Sequence, residues 1–425
     1  MIQIIHKKDC CGCQACVQRC PKQCISMLED EEGFLYPRVN ASLCIDCGLC
    51  EKVCPELNPL EPREPLEIMA AKNMNEEERI QSSSGGIFFL LAKAVLARGG
   101  VVFGALYDKQ WEVVISYTER FDEVRAMMGS KYLQARVESA FQDAERILKE
   151  GREVLFSGSP CQIAALHRYL RKDYNNLLTL DFICHGVPSP GVWRCYLQEE
   201  VYPSAQRAAK KIQSPSSLST MPLLESIAFR DKKIAGWEKF SFVVRLKSAF
   251  RVGKNSVLLS DIHYENPYMR GFLADIYLRP SCYHCKAKSG SGHSDITVAD
   301  FWGVRQVMPD FYDDKGVGLV LISTEKGKAI FDTLPIEVRK TSFKEALSFN
   351  PAYTKSALPH RKRAAFYKEF NEGIPVAIIV EKVLCVPKHV RYIQRVKGVL
   401  KHILSGILDF FFFFKDSITT LLLIM

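Results

Sequence analysis

The sequence lacks a run of about 20 apolar residues, the length a membrane-crossing helix needs. Its most apolar region, near the C-terminal end, is interrupted by Asp409, Lys415 and Asp416. It also lacks a charged segment followed by an apolar core at its start, which reads MIQIIHKKDCCGCQAC. A secretory leader, and the disulfide scaffold of an oxidising compartment, are therefore not expected. No GxGxxG follows a strand-like run, so a Rossmann dinucleotide site is not supported. The formal charge of +9 comes with no nucleic-acid-binding signature, and the excess charge lies towards the C-terminal end. Nucleic acid is accordingly not an expected partner. Apart from one duplicated cysteine block, there is no internal repeat.

What is present is cysteine, in an uneven distribution. Ten of the sixteen cysteines lie within residues 10–54. With no leader in view, they read as thiolates in a reducing cytoplasm, available to metal. They form Cys10-x2-Cys13-x2-Cys16-x3-Cys20-Pro21 and then Cys44-x2-Cys47-x2-Cys50-x3-Cys54-Pro55. Three closely spaced thiolates wrap one face of a cubane, and the fourth, before the proline, reaches across to the other cluster. One 4Fe–4S cluster should thus take Cys10, Cys13, Cys16 and Cys54, and the second Cys44, Cys47, Cys50 and Cys20. Zinc also accepts CxxC pairs, but two complete blocks favour iron–sulfur. Cys11 and Cys24 fall outside the pattern and read as spare thiols.

A length of 425 residues implies two or three domains. The expected order is an α+β ferredoxin-like module over 1–58, a proline-rich linker over 59–67 and an α/β domain over 68–350. The α/β domain should carry a mixed, partly parallel sheet. Within it, strands are expected at Val101–Tyr107, Val113–Thr118, 154–156 and 177–183, with helices at 138–149 and 162–171. The β–α–β order over 154–183 implies a parallel pair with a right-handed crossover. A β-rich insertion is expected over 226–262, then buried strands at 295–299 and 318–323. Residues 351–425 read as a helical basic and apolar tail, with six Lys/Arg and no acid between Lys382 and Lys401 and five phenylalanines before Lys415. Such a tail suits peripheral contact with an anionic membrane or a partner, and equally a helix packed on its own domain.

Four further cysteines bear on the site. Cys161 follows one buried strand and Cys184 the next, so both should emerge at the carboxyl edge of the sheet, where α/β proteins place their sites. Cys282-x2-Cys285 supplies a matching pair, and four thiolates suit a third 4Fe–4S cluster. The rival reading keeps Cys161 and Cys184 as small buried hydrophobes. Cys195 and Cys385 keep that reading throughout. The run Ser82-Ser83-Ser84-Gly85-Gly86 at a helix start is a candidate phosphate cradle, although serine–glycine runs also serve as ordinary caps.

These residues resemble the coenzyme F420 hydrogenase/dehydrogenase beta-subunit family, in the bacterial form with an N-terminal ferredoxin domain. The resemblance is carried, in order, by residues 82–86, 129–132, 154–162, 181–190, 229–233, 279–285, 294–303 and 315–318. It implies a flavin, FAD, beside an iron–sulfur cluster held by Cys161, Cys184, Cys282 and Cys285. It makes Ser83, Ser84, Gly85 and Gly86 the first candidates for the flavin phosphates, with Ser130 and Lys131 near the isoalloxazine. Lys131 and His185 are the weak catalytic candidates, a surface salt bridge and a turn-shaping hydrogen bond being their structural alternatives. The expected activity is a cytoplasmic, flavin-dependent iron–sulfur oxidoreductase. It would take electrons from ferredoxin or a partner subunit and pass them to a small-molecule acceptor, coenzyme F420 or another. The alternative is a non-catalytic electron-transfer subunit, held at a membrane by the tail.

Overall fold

Each cysteine block ends in a short helix opened by a left-handed residue. Gln14 (φ 62°) precedes Ala15–Arg19 (α1), and Gly48 (φ 69°) precedes Leu49–Lys52 (α2). Between them Ile25–Glu29 (β1) and Leu35–Val39 (β2) pair as an antiparallel hairpin. The computed structural model describes residues 1–210, 223–247 and 256–385. Residues 1–380 form one unit and residues 381–425 another. The tail expected over 351–425 therefore lies, from residue 386 onward, outside the described residues. Among the described residues no helix is long and apolar enough to cross a membrane.

The larger sheet begins with Glu67–Asn73 (β3). After the Ser/Gly run, Ile87–Ala97 (α3) leads to Val101–Tyr107 (β4) and Val113–Thr118 (β5). Ala140–Lys149 (α4), Val154–Ser157 (β6), Pro160–Leu170 (α5) and Leu177–Phe182 (β7) follow. Pro190–Tyr196 (α6) leads towards a separate three-stranded antiparallel sheet of Leu224–Asp231 (β8), Ser241–Leu246 (β9) and Val257–Ile262 (β10). The chain then returns through Ile296–Asp300 (β11), Gly318–Ile322 (β12) and Ile336–Lys340 (β13). The main sheet has eight strands in the order β13-β3-β12-β11-β7-β6-β4-β5. Its centre, β4-β6-β7-β11, is parallel and its flanks are antiparallel.

The central strands are apolar on both faces because both are covered. Val101, Phe103, Val154 and Phe156 pack under α4 and α5. The alternate residues Val102, Leu155, Leu178 and Leu180 pack against α3. The N-terminal module joins the first of these cores through Cys11, Cys13, Ala15 and Val53. It also caps α4, whose own Ser139 makes no side-chain cap. Gln14 Oε1 accepts from the N–H groups of Val137 and Glu138 at 2.6 and 2.7 Å, and Gln18 Oε1 from Phe141 at 3.0 Å. The proline-rich linker is pinned as well, since Arg168 donates to the carbonyls of Asn58 and Pro59 at 2.7 and 2.8 Å.

Two strands were not legible in advance. β3 reads Glu-Ile-Met-Ala-Ala-Lys-Asn, weak in strand formers, and β13 is a largely exposed, charged edge strand.

Candidate functional site

The cysteines of the N-terminal module line two small cavities. Cys10, Cys13, Cys16 and Cys54 line one of about 20 Å³, with Cys11 and Glu56 beside them. Cys20, Cys44, Cys47 and Cys50 line a second of about 20 Å³, next to Cys24. The fourth cysteine of each block thus sits with the other block's first three. Backbone N–H groups point at the sulfurs: Ile2 donates to Cys50 Sγ at 3.3 Å and Asp46 to Cys44 Sγ at 3.4 Å. Among the described residues no three of His, Cys, Asp or Glu converge to hold a single metal ion. The thiols instead surround a volume.

A third cavity, of about 40 Å³, is lined by Cys161, Cys184, Cys282 and Cys285. Cys161 is in the first turn of α5 and Cys184 two residues beyond β7, so both leave the carboxyl ends of parallel neighbours. The other pair comes from the short 3-10 helix Pro280–His284 and the residue after it. The Cys11 thiol beside it, and burial, hold Cys161 well above the ordinary thiol range. Burial does the same to Cys184, and pushes Cys282 up to about 12 and Cys285 to about 11. Such thiols lose their protons when a cation takes the thiolates as ligands. The all-sulfur donor set and the surrounding cavity fit a cluster.

The largest cavity, about 650 Å³, opens along the carboxyl edge of β4, β6, β7 and β11. Ser83, Ser84, Gly85, Gly86, Ser130, Lys131 and His185 all line it. No side chain caps α3, whose N-terminal end faces this space behind Gly86. The loop before it is fixed from behind. A Cβ on Gly85 would lie 2.4 Å from the Ala71 carbonyl oxygen and 2.6 Å from the Gly318 nitrogen. The Ser84 hydroxyl donates to the Val317 carbonyl at 2.9 Å, and the Ser83 hydroxyl accepts from Ser130 N–H at 2.6 Å. Buried Lys232 ties three loops together, its Nζ donating to the carbonyls of Arg79, Ser84 and Lys315 at 2.6, 3.0 and 2.6 Å.

The other wall is aromatic and cationic. Buried Arg230 forks onto Asp300, and its guanidinium lies over the rings of Phe240 and Trp302, 4.4 and 5.2 Å from their centroids. Its Nε is buried without a partner. Trp302, 40% exposed, stacks on Trp237 at 5.3 Å. Lys131 makes no surface salt bridge. Its Nζ donates to the carbonyls of Met127, Met128 and Gly129 at 3.3, 3.0 and 3.2 Å, while burial pulls its ammonium down to about 7. His185 Nε2 lies 2.6 Å from Asp275 Oδ1. A glycine- and amide-lined cradle at one end, an aromatic wall and an unfilled cationic donor fit a phosphate-bearing planar cofactor.

These cavities adjoin one another in series. Ile2 lines the first and donates to Cys50 of the second. Cys11 and Glu56 line both the first and the third. Residues 181–187 line both the third and the large one. Reading the sequence did not assign roles to Cys11, Glu56, Asp181, Arg230, Lys232 or Arg279. Four of them lay in segments that carried the family resemblance, and a buried Arg or Lys beside a strand end was the available signal.

Residues 9–57 match the family model described as a 4Fe-4S dicluster domain, so the chain is an iron–sulfur protein. Residues 151–342 belong to the coenzyme F420 hydrogenase/dehydrogenase beta-subunit family, matching the model that describes the C-terminal part of that protein. A subunit of the F(420)H(2) dehydrogenase of Methanosarcina mazei is 23% identical over 187 residues, 42% of this chain and 53% of that protein. The chain thus matches about half the length of that relative. The VorC subunit of the ketoisovalerate oxidoreductase of Methanothermobacter marburgensis is 32% identical over 60 residues, 14% of this chain and 76% of that one. The PorD subunit of the pyruvate synthase of Thermotoga maritima is 36% identical over 70 residues, 16% of this chain and 66% of that one. Among solved structures, a chain of the F420-reducing nickel–iron hydrogenase complex from Methanosarcina barkeri has a TM-score of 0.44 at 17% identity. It covers 73% of this chain and 91% of its own length.

Proposed function

We propose that this chain is the electron-relay subunit of an oxidoreductase. In this reading it takes single electrons at its N-terminal module and delivers them in pairs to an organic acceptor at the large cavity. The observation that carries the reading is the series of four adjoining cavities, three lined by four cysteines each and the fourth by a phosphate cradle and an aromatic wall. Three 4Fe–4S clusters would carry electrons one at a time, and FAD would accept them singly and release them as a pair.

The chain's own residues have distinct tasks in this reading. Cys10, Cys13, Cys16 and Cys54, then Cys20, Cys44, Cys47 and Cys50, then Cys161, Cys184, Cys282 and Cys285 would hold the clusters. Ser83, Ser84, Gly85, Gly86 and the open end of α3 would bind the phosphates of FAD, with Lys232 holding that loop in place. Ser130 and Lys131 would stand at the ring, where a lysine ammonium favours added negative charge. Arg230, Phe240 and Trp302 would orient a planar acceptor and exclude water. His185, held by Asp275, is the group placed to move a proton at the acceptor side. Coenzyme F420 is one acceptor the family name suggests, and a ferredoxin or partner protein in the cytoplasm would be the donor.

The relatives are named as subunits, which favours a second reading in which this chain only conducts and a partner holds the acceptor site. Turnover by the isolated chain separates the two. The primary test is anaerobic purification with iron, sulfide and flavin quantification. About twelve irons per chain are expected for three clusters. About eight irons would remove the third site, and a chain that neither contains nor binds flavin would overturn the reading.

A further inference from the structure

Arg279 stands three residues before Cys282 and reaches into the N-terminal module. Its side chain is fully buried, with the residue 1% exposed. Nε donates to the Cys10 carbonyl at 2.7 Å, Nη2 to the Leu35 carbonyl at 2.9 Å, and Nη1 to Gln134 Oε1 at 2.9 Å. Nη2 also points at Cys10 Sγ, 3.5 Å away. The plane of the fork lies on Tyr36 and Phe34, 4.4 and 5.3 Å from their centroids. Gly12 makes room for it. That residue is left-handed (φ 73°), and a Cβ there would come within 2.7 Å of Arg279 Nη1.

A buried guanidinium ordinarily has a carboxylate partner or another anion, because an uncompensated charge in an apolar interior is costly. No carboxylate among the described residues forms an ion pair with Arg279. Carbonyls and aromatic faces offset part of its charge, and the nearest atoms able to carry a full negative charge are thiol sulfurs. Cys10, Cys11 and Cys282 are the sulfurs that feel it. Arg279 therefore lies between two cysteine sets, bonded to the backbone of one and joined covalently to the other.

We infer that Arg279 is a positioning residue that also sets potential, counter-charging the electron junction between the N-terminal module and the α/β domain. The inference rests on the reading of these cysteines as cluster ligands. Reduction by one electron adds one negative charge to the centre that Cys10 ligates, and a fixed buried cation beside a ligand sulfur favours that state. Net charge and hydrogen bonds to the sulfurs are among the levers that set such potentials. The same side chain fixes the spacing of the junction by holding Cys10 and Leu35 against the helix that carries Cys282.

The test uses the full chain, reconstituted anaerobically, with iron and sulfide counted before an electron paramagnetic resonance redox titration. If the wild-type chain takes up no iron, the ligand reading fails and this inference falls with it. In a loaded Arg279→Gln chain, one cluster equilibrium should shift towards the oxidised form by about tenfold. That is about 59 mV for a one-electron couple. The equilibrium of the centre at Cys20, Cys44, Cys47 and Cys50 should stay in place, and Arg279→Lys should retain most of the wild-type value. Should Arg279→Gln fail to load, Gln134→Glu decides, because its carboxylate cancels the charge and leaves Arg279 in place. It should lower the same potential. Wild-type potentials in a loaded Arg279→Gln or Gln134→Glu chain would overturn the inference.

Discussion

The Thr297 hydroxyl donates to Asp181 Oδ1 at 2.5 Å, on the wall that separates the third cysteine cavity from the large one. Burial raises the Asp181 carboxyl to about 7. In an unfolded chain it titrates near 3.9. The folded state therefore holds this proton more tightly. Its contribution to stability is full below about pH 4 and is lost as pH rises through about 7. Asp181→Asn imitates the protonated form and removes the dependence. Anaerobic urea unfolding at pH 5.5 and pH 8 should show the wild type losing about 2 kcal/mol more than the variant. Equal losses would show that Asp181 does not titrate in this range.

Lys232 acts on the phosphate loop from behind, through the Ser84 carbonyl. Lys232→Met removes three donations at once and frees the loops that hold Arg79, Ser84 and Lys315. Flavin affinity, read by fluorescence quenching, should fall about tenfold, or about 1.4 kcal/mol. An unchanged dissociation constant would place the flavin phosphates elsewhere.

Gly85 has no room for a side chain between Ala71 and Gly318. Gly85→Ala should destabilise the domain by about 1–3 kcal/mol, the range for overpacking. The thermal midpoint should drop by several degrees, with flavin affinity falling alongside it. A wild-type midpoint would mean that β3 and β12 move apart without cost.

Cys184→Ala and Cys161→Ala remove thiols that burial already disfavours as free thiolates. Each should lower iron from about twelve to about eight per chain and leave the N-terminal clusters in place. Cys11→Ser should keep the full count, because Cys11 lies outside both ligand sets and serves only the wall between two cavities. Loss of iron in Cys11→Ser would make it a ligand.

The elements most legible in the sequence were those whose information is local. The CxxCxxCxxxCP blocks specify their cysteine sets by spacing alone, and β6-α5-β7 shows as apolar runs on either side of a helix. Cys161 and Cys184 follow from that unit, because parallel neighbours share a carboxyl edge. Arg279 and Lys232 were opaque for the opposite reason. Their partners, Cys10 and Arg79, lie 269 and 153 residues away in the chain. Such contacts exist only once the sheet has assembled. β13 escaped notice because an edge strand carries charges that mask its alternation.

The central claim is a relay of one-electron centres ending in a two-electron one. Anaerobic reductive titration of the iron- and flavin-loaded chain, followed by visible and electron paramagnetic resonance spectra, tests it most directly. Three clusters and one flavin predict uptake of about five electrons per chain, with cluster and flavin signals exchanging electrons as titrant is added. Uptake of about two electrons, with cluster signals alone, would contradict the account.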